Sequence, residues 1–282
     1  MTGEPEPRVH RRSLSPSRAG DFQTCPLLYR FRTIDRLPEP PSSAMVRGTL
    51  VHAVLEELFG EPAAARTLER AVALLPSQWQ RVQFDSPATA TLFGTEQTAD
   101  EAAWLASAVR LLESYFAMEQ PQWVEPSALE ERVSYVVDGV AYGGIIDRVD
   151  VAPDGRIRVV DYKTGRSPGE RFEAKALFQM KFYALVIWRT RGIVPTLLQL
   201  MYLGDGVFVR YEPTEHDLLA TEHKLQALWA AIERAIERQD FPPRPSSLCR
   251  WCAHQSLCPA FGGTPPPMPL LQVEAAEHAV LP

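Results

Sequence analysis

The stretch from Leu129 to Tyr162 constrains the fold most. Three runs rich in β-branched and aromatic residues, Leu129 to Val137, Ala141 to Val151 and Ile157 to Tyr162, are separated by Asp138-Gly139 and by Pro153-Asp154-Gly155. Asp-Gly supplies the positive φ angles that a two-residue hairpin turn needs, so the runs are expected to form a three-stranded antiparallel meander. Helical patterns surround it. Ser15-Pro16 opens a short helix running to about Thr24, and Val46 to Phe59 carries an apolar stripe at helical spacing with His52 at its edge. Ala63 to Leu75 forms another, and Thr98-x-x-Glu101 reads as a capping box for a helix bearing Trp104, Leu111 and Phe116 and stopped by Pro121. After the meander come a helix capped by Ser167-x-x-Glu170, strands Leu197 to Leu203 and Val207 to Tyr211, and a last helix from Thr214 to about Arg238. This order is that of an α/β or α+β protein.

A chain of 282 residues can bury its core without disulfides, and its longest apolar run, Tyr183 to Trp188, is far short of the ~18 residues that span a membrane. A membrane protein is excluded. The start, Met1 to Pro7, has no hydrophobic signal region, so a reducing, cytoplasmic location is expected, in which the four cysteines stay out of disulfides. The net charge of -6 gives no global attraction for nucleic acid, but sites that hold hard cations are themselves acidic, so a nucleic-acid enzyme stays open. Only four residues are lysine, Lys163, Lys175, Lys181 and Lys224, and none follows a glycine as a phosphate-binding motor loop requires. Any strand separation must come from a separate helicase.

Residues 1–12 read as a disordered basic tail and 263–282 as a proline-rich flexible tail, leaving a folded unit over 13–262 with a helical insertion at 61–125.

Asp161 and Lys163 are two apart on a strand and leave the same face, and the turn before them sets Asp147 beside Asp161. Two carboxylates and an ammonium so placed suit phosphodiester hydrolysis, with carboxylates holding Mg²⁺ or Mn²⁺ and the lysine offsetting developing charge. A strand ending in a surface turn is the plainer alternative. Asp150 points to the other face and reads as structural. Cys249-x-x-Cys252-x5-Cys258 with Cys25 could ligate zinc or a 4Fe-4S cluster, and spacing does not separate the two.

Gly144-Ile145-Ile146-Asp147-Arg148-Val149-Asp150, then Val159-Val160-Asp161-Tyr162-Lys163-Thr164-Gly165, then Gln179-x-x-x-Tyr183, preceded by Gly48-Thr49-Leu50-Val51-His52, resemble the motif series of RecB-family exonucleases in the PD-(D/E)XK nuclease superfamily. Cys25-Pro26-Leu27-Leu28-Tyr29, Cys249-Arg250-Trp251-Cys252 and Cys258-Pro259 resemble its iron-sulfur branch, which includes AddB, the CRISPR-adaptation nucleases and the eukaryotic Okazaki-flap nuclease. The resemblance implies an α/β fold with a restriction-endonuclease-like core and mixed central sheet, a nuclease domain over 13–262, and an iron-sulfur clasp joining the N- and C-terminal segments. It makes His52, Asp147 and Asp161 metal ligands with the Tyr162 carbonyl as a fourth, Lys163 the catalytic lysine, and Gln179 and Tyr183 holders of the site and the DNA strand. Cys25, Cys249, Cys252 and Cys258 become cluster ligands, and Glu130 or Glu131 a further acid, the inward one not being readable. It also implies a Mg²⁺- or Mn²⁺-dependent DNA exonuclease of repair or recombination, acting on single-stranded DNA or a free end. The rivals are a CRISPR-adaptation or helicase-partnered nuclease and a catalytically silent DNA-binding subunit. Arg11, Arg12, Arg18, Arg30 and Arg32 around Tyr29 and Phe31 form a basic-aromatic cluster suited to phosphate pairing and base stacking.

Overall fold

A computed structural model describes residues 8–93, 98–167 and 169–276, the backbone alone at 90, 98, 99 and 170–175. In chain order the elements are β1 (Arg8–Arg11), β2 (Ser13–Leu14), α1 (Pro16–Thr24), α2 (Pro26–Tyr29), a π-helical turn (Arg30–Ile34), α3 (Ser43–Gly60), α4 (Leu68–Asp85) and α5 (Thr98–Met118). There follow β3 (Ala128–Val137), β4 (Val140–Val151), β5 (Ile157–Lys163), α6 (Glu170–Arg191), β6 (Leu197–Tyr202), β7 (Val207–Tyr211), α7 (Glu215–Arg238) and β8 (Leu271–Glu274).

The meander forms as its turns dictate. Asp138 and Gly139 take φ of 51° and 70°, and Gly155 takes 85°. β3 pairs antiparallel with β4 and β4 with β5. The crossover through α6 returns β6 parallel to β5, β7 closes antiparallel on β6, and β2 joins β4 in parallel, so the six-stranded sheet is mixed.

Helices cover both faces. One apolar cluster packs α1, α6 and α7 on the sheet through residues such as Phe22, Phe182, Trp229, Val159 and Leu200. The other packs α3, α4 and α5 against Val160, Tyr162, Met201 and Leu203. Strand alternation divides β5 between them. Val159 belongs to the first cluster and Val160 and Tyr162 to the second, which turns Asp161 and Lys163 toward α6.

At one point the alternation of β3 and β4 reverses together. Glu131 and Ile146, paired in register, lie on the α6 side, Ile146 in its cluster and Glu131 in an ion pair with Arg191. Leu129 and Arg148, the pair two residues along each strand, lie on the α3 side. Between them stands Glu130 with φ of 43°, a left-handed conformation that costs an L-residue roughly 1–2 kcal/mol.

Several expectations from the sequence are corrected. The helix expected to end at Leu75 passes through Pro76 to Asp85, because burial of Trp79 and Val82 on the same stripe outweighs the one backbone bond proline removes. Ser167 caps nothing: α6 has Gly169 as its N-cap, and Ser167 gives its backbone N–H and hydroxyl to the Asp205 carboxylate. The capping box at Thr98 lies outside the described side chains, while Glu101 accepts from the Trp79 indole. Residues 8–11 are no disordered tail, nor 271–274 a flexible one, since β1 and β8 pair in parallel with His10 buried. Residues 1–7 and 277–282 lie outside the described residues. Among those residues no helix is long and apolar enough to cross a membrane.

Candidate active site

The site lies where β4 and β5 meet α3 and α6. Ser42 caps α3 by accepting from the Met45 N–H at 3.2 Å, and Leu50, Val51, Val54 and Leu55 bury the helix in the α3–α5 cluster. A Cβ at Gly48 would stand 3.1 Å from the Thr164 hydroxyl, so glycine there lets α3 lie close on the end of β5. That approach delivers His52. Its Nε2 lies 3.0 Å from the Tyr162 carbonyl oxygen, and its Nδ1 lies 3.5 Å from Asp147 Oδ2 and 3.9 Å from Glu130 Oε1.

Asp147 is fixed from the strand beside it, its Oδ2 accepting the Tyr162 backbone N–H at 2.7 Å. Tyr162 thus presents its backbone N–H to Asp147 and its carbonyl to His52. Asp161 is 2% exposed. Its Oδ2 lies 2.7 Å from Lys163 Nζ, while Oδ1 accepts from Gln179 Nε2 at 2.9 Å. Gln179 Oε1 in turn accepts from Lys163 Nζ at 3.1 Å, and its amide nitrogen lies 3.4 Å from the Tyr183 hydroxyl. The carboxylate and ammonium therefore fix which end of the amide is which. Gly144 leaves room for Tyr183, whose ring would lie 3.0 Å from a Cβ there.

The electrostatics follow from crowding of like charge. Burial, together with the charge of Asp147, pushes Asp161 up to about 6 against the pull of Lys163. Burial and Asp147 push Glu130 up to about 7, with His52 opposing. Burial alone would lower His52, but the hydrogen bond and charge of Asp147, with the charges of Asp161 and Glu130, outweigh it and push the imidazole up to about 9. Two acids whose ionisation is opposed by burial and by the charge of Asp147, around one imidazole, describe a place suited to further positive charge.

Among the described residues, His52, Glu130 and Asp147 form the group of three whose ligand atoms lie within 4.8 Å of one another. Asp161 and the Tyr162 carbonyl border it, a mostly oxygen donor set suited to Mg²⁺ or Mn²⁺. All six side chains expected from the sequence are thus brought together: His52, Asp147, Asp161, Lys163, Gln179 and Tyr183. Between the two glutamates the structure chooses Glu130, since Glu131 pairs with Arg191. Asp150 is structural, holding Arg148 at 3.1 Å and Arg158 at 2.8 Å. Arg148 is fully buried, paired with Glu119 at 2.6 Å and donating to the Tyr162 hydroxyl at 2.8 Å, and so ties β4, which carries Asp147, to β5, which carries Asp161 and Tyr162. Its place inside the Asp147 motif was the only sequence signal for it.

The four cysteines converge on one cavity. Cys25 ends α1, and Cys249, Cys252 and Cys258 come from the short turns after α7. Cys25 Sγ accepts the Arg244 N–H and Cys249 Sγ the Ser246 N–H, both at 3.3 Å. Burial raises the Cys252 thiol, with Cys249 and Cys25 adding to the shift.

The basic-aromatic cluster is a correction. Tyr29 and Phe31 are core residues at 0% and 2% exposure and cannot stack on bases. Arg30 pairs with Asp35, Arg32 with Asp21 and Glu39, and Arg12 with Glu233. Arg18 donates to Ser13 at 2.6 Å.

A mixed sheet covered on both faces, with Asp147, Asp161 and Lys163 on its adjacent interior strands, is the arrangement of a PD-(D/E)XK nuclease, and the family model of that superfamily matches residues 13–259. The chain belongs to the PD-(D/E)XK nuclease superfamily. The Gene 69 protein of Mycobacterium phage D29 is 28% identical over 277 residues, which cover 88% of this chain and 96% of that protein. The Gene 69 protein of Mycobacterium phage L5 is 25% identical over 285 residues, covering 88% and 96%. A solved structure of a candidate exonuclease from Eubacterium rectale shares the fold, with a TM-score of 0.57 at 12% identity over 86% of this chain and 88% of that one.

Proposed function

We propose that the protein is a Mg²⁺- or Mn²⁺-dependent DNA exonuclease acting on single-stranded DNA or a free end, in DNA repair or recombination. The convergence of Asp147, Asp161 and Lys163 with His52 and the Tyr162 carbonyl carries this reading, because the full set needed for phosphodiester hydrolysis lies within contact distance. His52, Glu130, Asp147, Asp161 and the Tyr162 carbonyl would hold the cation, which supplies Lewis acidity toward a phosphoryl oxygen. Lys163, held between Asp161 and Gln179, keeps a further N–H for the attacking water or the phosphoryl oxygen and offsets charge gathering there. Gln179 fixes both partners of that pair. A groove of about 760 Å³ lined by Arg18, Arg132, Phe178, Gln179 and Tyr183 opens beside the site and supports a strand lying across it.

Four thiols on one cavity, two of them already accepting backbone N–H groups, fit a 4Fe-4S cluster, whose sulfide-rich core such donors stabilise. The cluster would act as a clasp, since hydrolysis moves no electrons and the cysteines stand apart from the acidic site. Cys25 and Cys249 are 224 residues apart, so ligation closes nearly the whole chain into one loop. Purified protein incubated with end-labelled single- and double-stranded DNA, with and without Mn²⁺, tests the nuclease: metal-dependent release of short products from single strands is expected, and no cleavage under any of these conditions would sink it. Anaerobic preparations should be brown and hold about four irons per chain. Stoichiometric zinc without iron would remove the cluster and leave the nuclease standing.

A further inference from the structure

A second basic groove flanks the site on the side away from Gln179 and Tyr183. It has a volume of about 440 Å³, and its charged lining is Arg47 from α3, Arg110 from α5, Arg166 from the loop after β5, and Asp205 from the turn after β6. The groove is continuous with the catalytic strand, since Thr164 and Gly165, which also line it, directly follow Lys163. Arg47 precedes His52 by five residues on the same helix, an axial rise of about 7.5 Å, so one helix contributes to both the groove and the metal site.

Its charge is at odds with the rest of the molecule. The chain carries a net charge of -6, and many of its arginines stand in ion pairs such as Arg12–Glu233, Arg32–Glu39, Arg148–Glu119 and Arg189–Glu222. Arg110 and Arg166 are exposed, and among the described residues neither stands in an ion pair. Arg47 gives one terminal N–H to Ser107 at 3.0 Å, while its buried Nε has no hydrogen-bond partner among the described residues. The one carboxylate among the described lining residues, Asp205, accepts the Ser167 N–H and hydroxyl at 3.0 and 2.6 Å. Three guanidinium groups therefore face a concavity whose described lining holds a single carboxylate. The hydroxyls of Ser114 and Thr164 line the same wall, and a Cβ at Gly165 would meet open space, so backbone can approach a ligand there.

Guanidinium forks beside free hydroxyls and accessible backbone are the chemistry that holds phosphodiester oxygens. We propose that Arg47, Arg110 and Arg166 form a phosphate-binding track that holds the backbone of the single DNA strand beyond the scissile phosphate. The strand then runs from the groove at Arg18 and Arg132, past the metal ligands, into the track. This rests on the nuclease reading above. The track binds backbone and not bases, so it acts on every sequence alike.

The test uses full-length protein and a fluorescein-labelled thymidine oligonucleotide, with binding followed by anisotropy in EDTA as NaCl is raised. Replacing Arg110→Gln and Arg166→Gln together should weaken binding on the order of tenfold at low salt and reduce the slope of log affinity against log salt by about 0.7 per arginine. Arg110→Lys with Arg166→Lys should restore most of that slope, because the charge is kept. With Mn²⁺ added, the glutamine variant should show a raised KM on the oligonucleotide and an unchanged rate on a p-nitrophenyl ester of thymidine monophosphate, which is too short to reach the track. Wild-type slope and KM in the glutamine variant would overturn the track while leaving the nuclease intact. Wild-type protein that neither binds nor cuts the strand would overturn the nuclease reading, and the track with it.

Discussion

Glu130 and Asp147 stand opposite each other where β3 and β4 turn over, bracketed by the pairs Leu129–Arg148 and Glu131–Ile146. The reversal releases both carboxylates from the alternation that would separate them and aims them at His52. Its costs are a left-handed backbone at Glu130 and like charge at short range.

Glu130→Asn should therefore lose metal and gain stability. Asparagine tolerates the left-handed conformation better and removes one of the crowded acids. Activity titrated with Mn²⁺ should need several-fold more metal, while the melting temperature in EDTA stays level or rises. A fall in melting temperature with unchanged metal dependence would show Glu130 to be structural.

Asp161→Asn and Lys163→Ala should each lower the cleavage rate by at least about 100-fold. Asp161→Asn should not destabilise the fold, since the charged form of Asp161 is itself disfavoured by burial and by Asp147. Gln179→Ala should reduce the rate by roughly 10-fold or more, as loss of an orienting partner does, and leave the metal requirement alone. Cleavage at the wild-type rate by Asp161→Asn would refute the site.

Arg148→Met should cost up to about 3–5 kcal/mol, because it removes the buried cation that Glu119 and Asp150 share and leaves them only the partly exposed Arg158. Denaturant melts would show it. Adding Glu119→Gln to the same chain should recover part of the loss, and failure of the second change to help would mean that shape and not charge governs the position.

His10 gives a dependence of stability on pH. Burial, with the charges of Arg18 and Arg36, lowers its pKa from 6.5 to about 4. A histidine lowered in this way binds fewer protons folded than unfolded between those values, so its neutral form favours folding above about 6.5 and that advantage is lost as the pH falls toward 4. His10→Gln should flatten the melting-temperature profile across this window, and a profile parallel to wild type would assign the acid sensitivity elsewhere.

The meander and the acidic site were legible because each rests on local chemistry. Asp138-Gly139 demands its turn, and the i,i+2 spacing of Asp161 and Lys163 puts both on one face in any strand. What was not legible depends on contacts distant in sequence. The choice of Glu130 over Glu131 turns on one backbone angle, and alternation alone cannot supply it. Tyr29 and Phe31 sit among arginines in the sequence, yet the core takes the rings and acids from other segments take the charges. The arginines of the second groove come from α3, α5 and a loop, which only the fold brings together. The pairing of β1 with β8 joins segments whose composition gave no strand signal.

Because the α3–α5 cluster carries His52 and the α6 side carries Gln179, the site is a seam between two separately packed halves. Fraying of the helical layer that contains α3 would withdraw the imidazole while Asp161, Lys163 and Gln179 remained bonded to one another. The protein would then lose its grip on the cation at a smaller free-energy cost than global unfolding. Amide hydrogen exchange would register this as faster exchange in α3 than in β5, and the thermal limit of activity would fall below the melting point of the sheet.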